Sequence, residues 1–461
     1  MTPISTKHST AARAPHRRFV EAVGPEHAPT RASRAGLFPG EPENCRRSLS
    51  SFVRIYGHMC VCYAVFEAFS LEGRGLRLVT LCTLAALPVH YALPFRWKQP
   101  FFVAVSMVGL GLVFGLPAAA ATIGLTLGLV SLASLPINWW VRVGLVALAG
   151  LGMGLARAQI VAVALPAVVW PIVGSICMFR IIIYLHEIRS AQQRERVSDV
   201  LSYFFLLPNF AFHLFPVVDY RTLRRGYFSH EIHATQRAGL RLILRGSVHL
   251  LLWRWINHEL LISPLEVHNL ATFTSFVVCN YLLYLRVSGL FHLACGMLHL
   301  FGYRLPETHH HYLLATSFTD YWRRINIYWK DFMVKLVFHP VAFRLKRWPQ
   351  VATLTVATFC VFAITWLAHG YQSFWLRGDW GFTLPDALFW GILGVLVWIN
   401  VLGDARGRPR RRLARPELFS LENLIRLLKI AGTLTTITVL WSLWSSPSVS
   451  SWLELLHRGL R

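Results

Sequence analysis

Residues 99–141 contain no Asp, Glu, Lys or Arg, and this 43-residue window constrains the fold more than any other feature of the sequence. A transmembrane helix needs about 20 mostly apolar residues, because its backbone must bond internally where no water is present. The window is therefore long enough for two spans. Composition agrees, since 54% of the residues are hydrophobic and 15% are charged, against roughly 25% charged in soluble domains. The sequence predicts a polytopic membrane protein and excludes a string of soluble domains.

Further apolar windows set the predicted number of membrane helices. Long windows without charged residues include 158–179, 267–285, 349–376, 387–403 and 430–453. Five other windows are hydrophobic but are interrupted by polar or charged residues, namely 52–71, 76–95, 200–216, 240–262 and 287–303. We therefore predict an all-α multi-pass membrane domain over residues 51–461, with about 10 to 12 helices that span or re-enter the bilayer. Residues 1–50 are polar, basic and without hydrophobic periodicity, which predicts a disordered tail.

The chain is strongly basic, with 46 Lys and Arg against 22 Asp and Glu and a net charge of +24. In a soluble protein this balance would indicate nucleic-acid binding. Here the basic residues concentrate in four connections between apolar runs, namely 189–196, 221–237, 323–347 and 406–415. Cytoplasmic loops of membrane proteins carry such an excess, so we predict that the four connections share the cytoplasmic side. We predict no nucleic-acid partner and a multi-pass location, with the prokaryotic inner membrane favoured.

The cysteines and histidines do not have the spacing of a metal site. The eight cysteines lie mostly inside apolar runs, which is typical of buried, inert thiols. Three consecutive histidines, 309–311, point in different directions on any regular backbone, unlike the i, i+4 pair of a zinc helix. His292 and His299 are seven residues apart and either bond between helices or line a polar seam. We predict no metal and no other cofactor.

The segment 317–348 is aromatic and basic at once, and it is too charged to span a bilayer. Its apolar residues recur at helical spacing and predict one amphipathic stripe, formed by Phe318, Trp322, Ile325, Trp329, Phe332 and Leu336. Two placements fit this pattern. The helix either lies in the membrane interface as a basic anchor or packs re-entrantly against the bundle. Asp331, one acid among many bases, is expected to pair with Arg324 or Lys335.

Two polar residues favour a functional role for this region. Asn326 lies beside the stripe, where its amide would gain from a polar partner or ligand. His369 ends an apolar, charge-free run that includes Trp366. An ionisable residue inside a membrane segment is a functional-site hypothesis by default, and the alternative is a hydrogen bond between helices.

Together these residues resemble the membrane-bound O-acyltransferase (MBOAT) family. YWRRINIYWKDF at 321–332 followed by TWLAHG at 365–370 is similar to the family's W-R-R-W-[HN] and W-H-G segments. MFRIIIYLHEI at 178–188 resembles its F-R-x-x-x-Y segment, and FFLLPNFAFHLFPVVDYRTL at 204–223 resembles its F-x-x-x-P…G-P-x-x-x-Y stretch. The resemblance covers roughly residues 178–370 and rests on order and spacing. Three features depart from the pattern, namely Asn326 where related members carry His, W-L-A-H-G in place of W-H-G, and Pro216 without a preceding Gly.

The resemblance implies an O-acyltransferase that moves an acyl group from a thioester to a hydroxyl. His369 is assigned as general base and Asn326 as the amide that orients the donor carbonyl or stabilises the oxyanion. Trp322, Arg323, Arg324 and Trp366 are assigned to donor binding, with the arginines, together with Lys346, on donor phosphates or lipid headgroups. The donor is acyl-CoA or an acyl carrier protein.

The acceptor's identity stays open. A lipid or glycolipid is favoured, and acylation of a surface polysaccharide with accessory envelope proteins is the alternative within enzymes. A multi-pass transporter or an inactive scaffold are the other readings of the same residues.

The spacing also sets a geometric condition on the site. From Pro349 to His369 is 20 residues, about 30 Å of helix, which would place His369 near the leaflet opposite the basic segment. Asn326 can then meet His369 only if the segment 317–348 dips deeply or the helix is tilted. The resemblance implies a tunnel through the membrane that joins the two faces.

Overall fold

A computed structural model describes residues 42–189, 195–210, 212, 218–406 and 420–461. Within these ranges the regular secondary structure is entirely helical, apart from one isolated β-bridge between Tyr227 and Tyr303. The predicted all-α polytopic fold is confirmed, because ten helical stretches in the described residues are long and apolar enough to cross a membrane.

The helices fall into two sets. The long apolar ones are α1 (Leu49–Ala68), α2 (Gly73–Ala92), α3 (Phe95–Phe114), α4 (Leu116–Ser134), α5 (Trp139–Arg157), α6 (Val169–Ile188), α10 (Leu270–Leu282) with α11 (Leu285–Leu300), α15 (Gln350–Arg377), α16 (Leu384–Arg406) and α17 (Leu421–Trp444). The others are α7 (Val197–Phe204), α8 (Tyr220–Gly226), α9 (Ile232–Trp255), α12 (Phe318–Ile325), α13 (Ile327–Met333), α14 (His339–Arg344) and α18 (Val449–Gly459).

Two boundary predictions are wrong. The end of the predicted disordered tail is ordered, since residues 43–45 form a helical turn, Cys45 is buried and the Asn44 side chain donates to the carbonyl of Phe228. Residues 1–41 lie outside the described residues. In the apolar stretch 200–216 the described residues form no span, because α7 ends at Phe204 and the turn after it is buried inside the protein at Leu206 and Leu207.

Helices α9 and α11 pack backbone to backbone through paired glycines. A Cβ at Gly246 would lie 2.7 Å from the carbonyl oxygen of Gly289, and a Cβ at Gly239 would lie 2.7 Å from that of Gly296. Both pairs are seven residues apart along their helices, so they repeat every two turns on one face. Small residues at such positions let two membrane helices approach closely, which compensates for the weak driving force between apolar helices in lipid.

Three of the four basic connections meet at one end of the bundle. Glu187, at the end of α6, is buried and accepts from the backbone N–H of Arg221 at 2.8 Å. Lys335 pairs with Glu187 and, at 2.9 Å, with Asp219. Burial works against the charge on Lys335, but the two carboxylates outweigh it and raise the pKa of this lysine. The predicted common side is therefore seen for these connections, while most of 406–415 lies outside the described residues.

Helices α15 and α16 form the antiparallel pair that returns the chain to that same end. Trp398 donates from its indole N–H to Thr355 at 2.8 Å, near the start of α15 and the end of α16. At the opposite end the ring of Trp390 lies 4.7 Å from that of His369. The two apolar runs predicted between the third and fourth basic connections are thus one helical hairpin, and it carries the candidate site.

Candidate functional site

The segment 317–348 is a re-entrant hairpin, not one continuous helix. Its first residues lie near the end of α16, where the N–H of Phe318 donates to Asn400 at 2.8 Å. Its last residues lie near the start of α15, where Thr353 donates to the carbonyl of Leu345 at 3.0 Å. Because α15 and α16 are antiparallel, the hairpin enters and leaves at the same end of the bundle. The alternative of an interfacial anchor is wrong, since Phe332 and Ile325 of the apolar stripe are buried in the core.

The hairpin reaches the depth of His369. Trp322 packs on Phe362 with ring centroids 4.9 Å apart, and Trp329 lies edge-on to His369 at 6.5 Å. Trp329 follows Trp322 by seven residues, and His369 follows Phe362 by seven residues on α15. The hairpin therefore runs along α15 inward for about 10 Å. The condition derived from the sequence is met, because the dipping segment brings the predicted motif residues to the level of His369.

Asn326 is where the helical stripe breaks. Its backbone is extended, with φ −145° and ψ 81°, and it ends α12 and begins α13. Its side-chain Oδ1 accepts from the N–H of Trp329 at 3.2 Å, which makes it the N-cap of α13. Within the described part of the chain its Nδ2 group donates to no protein atom. The Oδ1 atom of this amide therefore caps a helix, while its Nδ2 group is left to donate to a ligand.

The preceding loop holds this break in place. The N–H of Ile327 donates to the carbonyl of Thr308 at 2.9 Å, and the N–H of His310 donates to that of Arg324 at 3.0 Å. His309 contacts the hydroxyl of Tyr284 at 2.9 Å. Burial lowers the pKa of His309 well below its ordinary value, and neighbouring histidines act in the same direction, so this imidazole is neutral at pH 7.

Tyr284 connects the loop to the break. Its hydroxyl donates to the carbonyl of Ile325, the residue before Asn326, at 3.3 Å. This hydrogen bond satisfies one of the carbonyls that α12 leaves without a helical partner at its end. The histidine run 309–311 thus includes a residue that supports the site, and in the described residues no group of His, Cys, Asp or Glu has the arrangement of a metal site.

His369 lies among three indole rings. The rings of Trp390, Trp444 and Trp329 lie 4.7, 5.9 and 6.5 Å from its own. We call these three tryptophans the indole cage. In the described residues neither ring nitrogen of His369 has a hydrogen-bond partner, and the side chain is half-buried. The predicted alternative of a hydrogen bond between helices is therefore not realised, and the imidazole is available to a ligand.

The other predicted site residues occupy different surroundings. Trp322 lines the same hairpin against α15, and its ring lies 6.5 Å from that of Trp390. Trp366 packs on Phe382 at 5.0 Å, one turn before His369 on α15. A Cβ at Gly370 would lie 2.2 Å from the Phe382 ring, so this contact requires glycine beside His369. Trp366 is thus at the rim of the site.

The charges of the hairpin pair differently from the prediction. Arg324 pairs with Asp320 at 2.7 Å, one turn earlier on α12. Asp331 pairs with its neighbour Lys330, and neither Arg324 nor Lys335 is its partner. The expected pairing of Asp331 is wrong because both of those bases are nearer to other acids. Arg323 is exposed on the outer face of α12.

The two weaker motif stretches pack against each other beside the hairpin. Arg180 is fully buried and donates to the carbonyls of Tyr203 and Phe204, both at 3.2 Å. Phe179, the residue before it, lies edge-on to Trp329 at 5.7 Å. The stretch 178–188 therefore supports the wall of the site. Pro216, in the second stretch, lies outside the described residues.

Sequence reasoning missed three contributors, namely Asp386, Trp390 and Trp444. Trp390 and Trp444 lie on helices that follow His369 in the chain, and nothing in their spacing predicts that they meet it. Asp386 is buried in the first turn of α16 and accepts from the indole N–H of Trp444 at 2.7 Å. Its signal was present in the sequence, since it is an acid at the edge of an apolar run.

The described cysteines are all unpaired, and Cys60 is exposed while Cys82 and Cys360 are half-buried.

A scan of the chain against models of known protein families finds no match, and neither does a search of curated proteins. The assignment of function therefore depends on the residues and on their arrangement around His369.

Proposed function

We propose that the chain is a membrane-embedded O-acyltransferase of the MBOAT type, with His369 as its general base. The observation that carries the proposal is the re-entrant hairpin, because it brings the segment containing Asn326 to the depth of a histidine whose ring nitrogens are unoccupied. An anchor or a purely structural hairpin has no need for that depth. A polar pair inside an apolar bundle is costly, and function is its usual explanation.

In the proposed reaction His369 takes the proton from the acceptor hydroxyl as its oxygen attacks the thioester carbonyl carbon. An imidazole suits this task because its ordinary pKa lies near neutrality. The negative charge that develops on the carbonyl oxygen is stabilised by N–H donors, and the Nδ2 group of Asn326 is the donor we assign. The carbon–sulfur bond then breaks, and the thiolate leaves with the proton held by His369. The products are an ester and a free thiol.

The indole cage supplies an apolar, water-poor environment around this proton transfer. Trp390, Trp444 and Trp329 surround the imidazole without bonding to it. Electrostatic interactions are stronger where water is excluded. A single N–H donor from Asn326 would therefore stabilise the developing negative charge more strongly there than in water. We assign Arg323 and Arg324 at the entrance to the donor's phosphates, and Trp322 and Trp366 to its apolar part. No metal or prosthetic group is needed for this chemistry.

The test is release of free thiol from a panel of acyl-CoAs by the purified protein, with and without crude membrane lipid as acceptor. We expect acceptor-stimulated release in the wild type and a loss of about 100-fold or more in His369→Ala, the usual contribution of a general base. His58→Ala is the matched control, since His58 is an exposed histidine on α1 and its loss should leave the rate unchanged.

Two outcomes would contradict the proposal. Undiminished release in His369→Ala would remove the base from the mechanism. Transport of a solute into vesicles by a protein that turns over no thioester, whether acyl-CoA or acyl carrier protein, would favour the transporter reading.

A further inference from the structure

Asp386 is a carboxylate in an unusual place. It lies in the first turn of α16 and only 8% of its surface is exposed. Ionisable residues inside membrane segments are expensive and are normally paired with an opposite charge or placed for function. In the part of the chain that the structure describes, Asp386 has no ion pair. Its side-chain hydrogen bond comes instead from one indole N–H group.

The carboxylate does not serve the start of its own helix. An acid in this position often caps the helix by accepting from the backbone N–H of the N-cap residue, three positions earlier. Here the cap comes from Thr383, whose hydroxyl accepts from the backbone N–H of Asp386 at 3.2 Å. The Asp386 side chain is directed elsewhere and accepts from the indole N–H of Trp444 at 2.7 Å. The capping explanation therefore accounts for the backbone of this turn and not for its carboxylate.

The hydrogen bond fixes one wall of the indole cage. Trp444 lies edge-on to His369 at 5.9 Å, and Phe389 stacks on its other side at 4.8 Å with the rings 16° apart. The indoles of Trp366 and Trp390 lie beside the same carboxylate. A single buried acid thus joins α16 to α17 at the level of the candidate base, while the indole N–H groups of Trp366 and Trp390 have no hydrogen-bond partner in the described residues.

We propose that Asp386 is a positioning residue that holds Trp444, and through the indole cage the imidazole of His369, in the orientation needed for proton transfer. This inference rests on the proposed function, because it concerns the same histidine. The carboxylate acts as a hydrogen-bond acceptor and takes no proton in the reaction. Apolar packing alone permits more than one rotamer of an indole ring, whereas a hydrogen bond from its N–H to a fixed carboxylate selects one of them.

The experiment measures kcat and KM for thiol release in four variants. Asp386→Ala removes the acceptor, and we expect kcat to fall about tenfold with KM for the donor within twofold of wild type, because a misdirected base slows chemistry without weakening binding. Asp386→Asn keeps an acceptor oxygen and should restore at least half of the wild-type kcat. Trp444→Phe removes the donor and should reproduce the loss. The double variant Asp386→Ala/Trp444→Phe should be no slower than either of its single variants, since each single substitution already breaks the same hydrogen bond.

A second readout does not depend on activity. Modification of His369 by diethyl pyrocarbonate, followed by peptide mass spectrometry, reports how closely the cage surrounds the imidazole. We expect faster modification in Asp386→Ala and Trp444→Phe than in the wild type or Asp386→Asn. This readout separates the two claims, because a wild type without turnover would overturn the proposed function while faster modification would still support the positioning role.

Three results would overturn the inference. The first is a wild-type kcat in Asp386→Ala, and the second is an Asp386→Asn variant as slow as Asp386→Ala. The third is a double variant whose loss is the product of the two single losses. If Asp386→Ala does not yield folded protein, Trp444→Phe decides alone, and unchanged kcat together with unchanged His369 modification in that variant contradicts the role.

Discussion

Two helix pairs in this molecule carry histidines and are built in opposite ways. Between α9 and α11 the contact is backbone to backbone through glycines. His299 of α11 has a hydrogen-bond partner, since its Nε2 accepts from the N–H of Leu305 at 2.9 Å. Between α15 and α16 the contact is made by large aromatic rings, and His369 has no such partner in the described residues. The glycine contact thus accompanies a hydrogen-bonded histidine, whereas the aromatic contact accompanies one without a hydrogen bond in the described residues.

The largest effect is expected at the glycine pair. Gly246→Val would place Cβ against the Gly289 carbonyl oxygen at 2.7 Å, where neither backbone can move without separating the helices. Overpacking of this kind costs about 3 kcal/mol of folding stability. We expect a much lower thermal midpoint in detergent, measured by loss of the monodisperse peak on size exclusion. Gly152→Val on α5 is the control, because a Cβ there meets nothing within 4 Å. Equal losses in both variants would show that the tight pair has no special role.

The next effect separates the two roles of Asn326. Asn326→Asp keeps an oxygen that can cap α13 but replaces the Nδ2 donor. We expect near wild-type thermal stability and a kcat about 100-fold lower, the usual loss for one oxyanion donor. Asn326→Ala removes the cap as well and should cost roughly 1 kcal/mol of stability in addition. An active Asn326→Asp variant would restrict this residue to capping.

The smallest effect concerns the rim of the site. Gly370→Ala forces the Phe382 ring away from Trp366, since the new methyl would lie 2.2 Å from it. Phe382 is exposed and can swing aside, so the fold should survive. If Trp366 contacts the donor as assigned, KM for acyl-CoA should rise about tenfold, or about 1.4 kcal/mol, with kcat unchanged. Gly432→Ala on α17, where a Cβ meets nothing, is the control. A wild-type KM would remove Trp366 from the donor site.

These comparisons indicate what the sequence can and cannot predict. The spans are predictable because each charge-free window is a direct statement about transfer into lipid. The described part of the window 200–216 forms no span, since apolar residues such as Leu207 can be buried by protein instead of lipid. Windows of hydropathy do not distinguish these two environments.

The site is predictable only in part. The order of motifs singles out His369 and Asn326, and the structure brings their segments to one depth. The break of the helix at Asn326 was not expected, because helical spacing continues through it and only the bonds from the loop 308–310 reveal why it breaks. The cage residues Trp390 and Trp444 were missed because tertiary packing alone joins them to His369.

The central claim is that His369 is the base of an acyl transfer, and chemical rescue tests it most directly. His369→Ala leaves a space inside the indole cage that free imidazole can occupy. We predict that added imidazole restores acceptor-stimulated thiol release in this variant, with no effect on the wild type or on His58→Ala. Thiol release at the wild-type rate in His369→Ala without imidazole would contradict the claim.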